Sequence, residues 1–445
     1  MSRHAAVTAL RFGLGARRGE IAAAARDPHG RVQAQIGHPV LLHGLPSAAS
    51  LAREFMERRG RIRSGAGDET DLAELRERQR AVIVAELQAR IRAGVTTDRP
   101  FSERLARFWA NHFTVSVRKG GIAPIVGAFQ REAIRPHVYG RFEDMLIAAV
   151  SHPAMIVYLD NQRSFGPNSR LGRRRGLGLN ENLAREVLEL HTLGVNGGYG
   201  QADVEGLAKI LTGWTVAPRE HFPDRAGDFL FLEPAHEPGA HTVLGRRYAP
   251  HGQGQGLQAL RDLARHPAAA RHLATKMAQH FLADEPPAEL VEALTRRFLD
   301  SGGDLAAMAQ TLTWAQPAWD APLAKVKPPE DYLTASLRLF DHRDFDVARL
   351  FALMTAMGQK PLAPPGPDGW PDGEMDWASP DALMRRIEWA DLVGARISAR
   401  VDPRTLAAEA FGALISTQTE QSVARAADAA QGAALVLLAP EMLRR

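Results

Sequence analysis

Apolar residues recur at three- and four-residue spacings along almost the whole chain, a period that only helices satisfy over such a length. In "LARFWANHFTV", Leu105, Phe108, Trp109 and His112 fall at i, i+3, i+4 and i+7, one stripe of a helix wheel. The same spacing predicts helices over 19–37, 48–58, 70–93, 101–113, 121–135, 141–150, 181–193 and 201–211. It resumes over 253–265, 267–282, 286–301 and 303–315, and 418–438 reads as an alanine-rich final helix. Ser379-Pro380 and Asp402-Pro403 are cap-plus-proline helix starts.

Three stretches break the period. "RSFGPNSRLGRRRGLGLN", 163–180, is rich in glycine and arginine and is expected to be a loop. In 228–249, Phe229 to Leu232 and Thr242 to Leu244 are strand-like and are expected to pair as a hairpin across a Pro/Gly loop. Residues 361–380 form an irregular Pro/Gly/Trp segment. The expected fold is mostly α, a multi-helical globular protein with a small β-hairpin insertion near 228–249. One domain of 1–445 is expected, with sub-parts 1–160, 161–330 and 331–445.

Composition narrows the function classes. Hydrophobic residues at 45% and charged residues at 24% are ordinary for a soluble globular protein. The absence of cysteine excludes disulfides, thiolate nucleophiles and Cys-ligated zinc. Basic residues number 55, only six of them lysine, and they are interspersed with 51 acids, which is no nucleic-acid footprint. No apolar run reaches about 18 residues, so no membrane span is expected. Arg11 interrupts the one apolar run near the start, so no signal peptide is expected there. The chain is expected in the cytoplasm unless its true start lies upstream.

Polar side chains on apolar helix faces are the candidates for chemistry. In "GLNENLAREVLELHTLGVNGGY" the wheel buries Leu183, Ala184, Val187 and Leu190, with His191 between Val187 and Ala184. Glu186 lies on the edge of that face, with Asn182 and Leu190 at i±4 and hence no basic partner; Glu189 and Asn182 are one step further out. A carboxylate so placed needs a partner from elsewhere or holds a raised pKa. His112 and His280 occupy core positions of their own helices, and His112, His191 and His280 are all expected to be buried. Each is either a core histidine bonded to a carbonyl or part of a metal or acid–base site. No HExxH motif is present. "HEPGAH", 236–241, is a polar turn or a ligand pair, and Arg170 and Arg173 to Arg175 are a solvated loop or an anion contact. Asp368, Trp370, Asp372 and Trp377 suit either a sugar-stacking platform with carboxylates or a Trp loop packed on the core.

The stretches "ALRFGLGAR", "FWANHFTV", "HPAMIVYLDNQRSFGPNS", "GLNENLAREVLELHTLGVNGGYGQADVEGLAKILTGWTV", "HEPGAHTVLGRRY", "PPGPDGWPD" and "LLAPEMLRR" together resemble the family called domain of unknown function 1800, nearly end to end. The family usually has Asp where Glu237 stands and Lys where His241 stands, which weakens any role for His241. The resemblance implies a mostly helical fold and no settled activity. It also implies a possible sulfatase-like partner protein, since members often lie beside genes of such a family, and many members are exported. The polar positions of the signature here include His112, Asp160, Asn161, Asn168, Asn180, Asn182, Glu186, Glu189, His191 and His236.

Three functions fit these residues. The first is a hydrolase acting on a polyhydroxylated or carbohydrate-like substrate. Glu186, Glu189, Asp160 and His112 would be its catalytic groups, and Asn161, Asn182, His191, Trp214 and His236 its substrate contacts. The second is a metal-dependent enzyme using His112, His191, His280 and a glutamate. The third is a non-catalytic partner of the sulfatase-like protein.

Overall fold

Side chains that can accept a backbone N–H mark many of the helix starts. Ser47, Asp68, Asp304, Asp346, Ser379, Asp402 and Ser416 each cap the helix that follows. The computed structural model describes residues 2–65 and 68–445, and helices hold 63% of the chain. Among the described residues no helix is long and apolar enough to cross a membrane.

Many expected helices form within a residue or two of their expected ends, among them Pro100–His112, Phe142–Ser151, Gln201–Leu211 and Pro267–Phe281. Ala48–Arg63 and Glu69–Thr96 run past theirs, and 19–37 holds two short helices, Glu20–Ala24 and Pro28–Gln33. The expected final helix is two, Thr417–Ala424 and Ala429–Leu438. Asp428 interrupts it by capping the second, accepting from Gln431 N at 2.8 Å. Segment 163–180 is not all loop: Ser169 caps a short helix, Arg170–Arg175, that closes on Gly176 at φ +63°. Pro329–Leu339 and Val347–Ala356 lie outside the expected set. All but one residue of Pro329–Leu339 is buried, its polar Asp331, Thr334, Ser336 and Arg338 included, so its polar side is a buried one.

The β content is two small antiparallel ribbons, paired differently from expectation. β1 (Trp214–Val216) pairs with β2 (Phe229–Phe231), and β3 (His241–Val243) pairs with β4 (Arg246–Tyr248). Leu244 and Gly245 have φ of +50° and +74°, a tight two-residue turn that folds β3 back onto its own sequence neighbour. Phe229–Phe231 is thereby left to Trp214–Val216, and Leu232 N extends that pairing by donating to Gly213 O at 2.7 Å.

Two large apolar clusters make the core, and helix Glu69–Thr96 belongs to both. Its Leu75 and Val82 join the cluster around Trp109 and Trp319; its Leu87, Ile91 and Val95 join the one around Tyr332 and Phe411. Buried ion pairs tie the clusters together. In helix Pro100–His112 every residue but Asn111 is buried. Glu103 there takes Arg135 in a fork at 2.6 and 2.9 Å, and Arg107 reaches Asp331 of helix Pro329–Leu339 at 3.0 Å.

Candidate active site

Asn111, the one residue of its helix that is not buried, holds a distant loop in place. Its Nδ2 donates to Trp370 O at 2.9 Å and its Oδ1 accepts from Trp370 N at 2.8 Å. Gly369 permits this approach: its φ is +88°, and a Cβ there would lie 2.6 Å from the Asn111 carbonyl. The seated loop roofs a cavity of about 340 Å³. Phe108, Asn111 and His112 form one wall, Lys276 and Gln279 of helix Pro267–Phe281 another, and Asp368, Trp370 and Asp372 the roof.

Asp372 is fully engaged. Its Oδ2 accepts from His280 Nδ1 at 2.7 Å, its Oδ1 meets Arg445, and Lys325 lies 3.8 Å away. Burial alone would raise this carboxyl; the permanently charged Arg445 beside it holds it well below the usual carboxylate range. Burial pushes His280 down to about 4, so at neutral pH it is an uncharged Nδ1–H donor.

The segment carrying Glu186 is α-helical only over Asn182–Glu186; Val187–Thr192 widens into a π turn, with Leu193 N bonded to Leu188 O at 2.9 Å. The wheel drawn at about 100° per residue therefore fails beyond Val187. Carbonyls at this end of the helix lack intrahelical partners, and two histidines satisfy them. His112 Nε2 donates to His191 O and His272 Nε2 to Leu190 O, each at 3.1 Å. His112, His191 and His280 are buried as expected. Burial drives His112 well below its ordinary value and His191 down to about 3, so both rings are neutral. The His112 and His280 rings serve different partners. Among the described residues the His191 ring makes no hydrogen bond, and no group of three or more His, Asp or Glu side chains is placed to hold a metal ion.

Glu186 is half-buried and makes no hydrogen bond or ion pair among the described residues. Burial, then Glu189, then Asp368 push its carboxyl up to about 7, against a small pull from Arg185. Arg185 is itself committed to Glu181 at 2.9 Å, the expected i,i+4 pair. Burial together with Asp368 and Glu186 pushes the Tyr158 phenol up to about 12, and burial with Glu189 raises Tyr199. Glu186, Glu189, Asp368, Tyr158 and Tyr199 thus form one acidic neighbourhood, and Asp368 joins it to the cavity.

The other expected site residues lie elsewhere. Asp160, at φ +56°, pairs with Lys119 and approaches Arg163 at 4.0 Å. Asn161 and Trp214, expected as substrate contacts, are buried in the fold: Asn161 Nδ2 donates to Leu211 O at 3.1 Å and to Trp214 O at 2.8 Å, and the indole packs on Gly256. His191 is fully buried and reaches no solvent. Asn182 is exposed and gives its backbone N to Asn180 Oδ1 at 3.0 Å. His236 donates to Thr212 O at 2.9 Å and borders a separate depression with Glu237 and Asn168. Of the expected catalytic set, His112 lines the cavity, while Glu186 and Glu189 lie outside its lining, with Glu186 feeling the charges of Glu189 and Asp368. Trp370 lines the cavity as a platform would, whereas Trp377 is buried with its indole N–H on Pro371 O at 3.1 Å.

Lys276 and Asn111 were not singled out by their sequence positions. Lysine scarcity was the available signal, since only six lysines are present and two of them stand at this site, Lys276 in the cavity wall and Lys325 beside its Asp372.

The fold and site define a helical protein with a polar cleft walled by carboxylates and a lysine. Over residues 8–444 the chain matches the family described as "Protein of unknown function (DUF1800)", and it belongs to that family. No curated protein and no solved structure matches it.

Proposed function

We propose that this protein is a hydrolase acting on a carbohydrate-like substrate in the Trp370 cleft, with Glu186 as its proton donor. One observation carries this: a half-buried carboxyl with no basic partner, flanked by two further acids, keeps its proton up to about pH 7. A general acid needs that property to protonate a leaving-group oxygen near neutral pH. Asp368 is exposed on the cavity roof and supplies the second carboxylate that glycoside hydrolysis needs, to activate water or attack the sugar carbon. Trp370 offers an aromatic face to a sugar ring, and Gln279 an amide to its hydroxyls.

The test is release of reducing ends from a panel of neutral and acidic oligosaccharides by the wild type, Glu186→Gln and Asp368→Asn. Loss of turnover in both variants, with each still folded, is expected. Full kcat in Glu186→Gln would remove it from the role of acid. A cleft that binds without turnover is the second reading. It is favoured by the signature residues committed to backbone groups, such as Asn161 and His112, and it predicts saturable binding indifferent to Glu186→Gln.

A further inference from the structure

Charges that line a cavity are normally neutralised by neighbours, and two of the four here are. Asp372 is committed to His280 and Arg445. Asp284 takes Lys325 Nζ at 3.1 Å on one oxygen and Glu374 N at 2.9 Å on the other. Lys325 is shared between those two aspartates. Two charged groups of the lining remain without a hydrogen bond or an ion pair among the described residues: Lys276 and Asp368. They face one cavity and do not pair with each other.

Lys276 is the more costly of the two to leave so. Lys276 is half-buried, and the histidines that feel its charge, His112, His191 and His272, are neutral and supply no counter-charge. An ammonium withdrawn from water without an anion is unfavourable, and burial lowers its pKa accordingly, against the pull of Asp372 and Asp368. An anion entering the cavity would relieve that cost. Phe108 and Trp370 beside it suit the flat, partly apolar face of a sugar ring. At about 340 Å³ the cavity is small among ligand sites, which run roughly 300–1,000 Å³, and admits a monosaccharide-sized group.

We infer that Lys276 receives an oxyanion carried on the substrate ring, so that the cleft selects acidic sugars over neutral ones. This rests on the proposed sugar substrate for the ring and on the unpaired ammonium for the charge. A lysine is a point charge, so a ring carboxylate and a ring sulfate ester share the chemistry it recognises. Asp368, unpaired on the same cavity, keeps the anion to the Lys276 side.

The experiment is calorimetric titration of the full chain with D-glucuronate, D-glucose 6-sulfate and D-glucose, at low and at 0.5 M salt. Wild type, Lys276→Met, Lys276→Arg and Glu186→Gln are compared. The wild type should bind one or both acidic sugars about tenfold or more tighter than glucose, and salt should erode the difference. Which acidic sugar binds tells carboxylate from sulfate. Lys276→Met should bind all three equally, and Lys276→Arg should keep part of the preference. Equal affinity of the wild type for acidic and neutral sugars overturns the inference, as does failure of all three to bind, or discrimination that survives in Lys276→Met. If Lys276→Met does not fold, the wild-type preference, its salt dependence and Lys276→Arg decide the matter. Glu186→Gln separates the two proposals: it should keep the acidic preference whether or not the protein hydrolyses anything.

Discussion

Replacing Glu186 by glutamine should stabilise the protein above neutral pH and do little at acidic pH. In the folded chain burial and two acidic neighbours raise this carboxyl from the ordinary glutamate value near 4.5 to about 7. Between those values the folded chain keeps a proton that the unfolded chain has released. The group's favourable contribution is therefore complete below pH 4.5 and is lost as pH rises through 7. At about 1.4 kcal/mol for each pKa unit, the upper bound is about 3 kcal/mol. Glu186 is only half-buried, and solvent screening brings the expected figure to about 1–2 kcal/mol. Glutamine has the shape of the protonated acid without its charge. Urea unfolding of both proteins at pH 5 and pH 8.5 reads the effect. At pH 8.5 the variant should be the more stable by about 1–2 kcal/mol, and at pH 5, just above the unfolded value, the difference should shrink to about a few tenths of a kcal/mol. A variant less stable at both values would mean that ionised Glu186 makes a stabilising bond, and the case for a proton held ready would fall with it.

Acidification below pH 6.5 should destabilise the protein steeply, because His191 and His280 are neutral in the fold and pushed down to about 3 and about 4, while the unfolded chain takes up protons near 6.5. Each should remove about 1.4 kcal/mol per pH unit as pH falls from 6.5 toward its folded value, outweighing the opposite slope of Glu186; a urea midpoint flat from pH 7.5 to 5 would contradict this. Glu103→Gln should cost about 3–5 kcal/mol, since it strips the buried Arg135 guanidinium of its carboxylate, and an unchanged melting temperature would refute it. Asn111→Ala should cost about 1–3 kcal/mol and release the Trp370 loop, seen as a change in tryptophan fluorescence and faster proteolysis around residues 364–373.

How much of this could be read in the sequence depended on how local its cause was. Helix Pro100–His112 was evident because its apolar stripe repeats within a few residues; Pro329–Leu339 was missed, and its polar Asp331 and Arg338 are buried against partners from distant segments. The missing partner of Glu186 was visible in its i±4 neighbours, and its raised pKa follows from that isolation together with burial. The burial of His112, His191 and His280 was likewise visible. Their roles were not, because the turn at Val187–Thr192 is π and the acceptors of His112 and His280 lie on distant segments. Asn161 and Trp214 looked like substrate contacts by residue type alone; the fold uses one as a brace and the other as core. Lys276 stands out only once Asp284, Asp372 and Lys325 are seen to neutralise one another, which no local pattern encodes.

The clamp of Asn111 on Trp370 joins positions 259 residues apart in the chain. Contacts that close so long a loop come at a high entropic cost and form late, after helices and local ribbons are in place. Before that closure the cavity has no roof, Asp368 is not yet near Glu186, and Lys276 is free to remain in water. The chemical character of the site is thus acquired only when this long-range contact closes. A refolding chain should regain its helical signal well before it regains any ligand binding, and an intermediate caught between the two would be a well-formed helical protein with an ordinary, acidic Glu186.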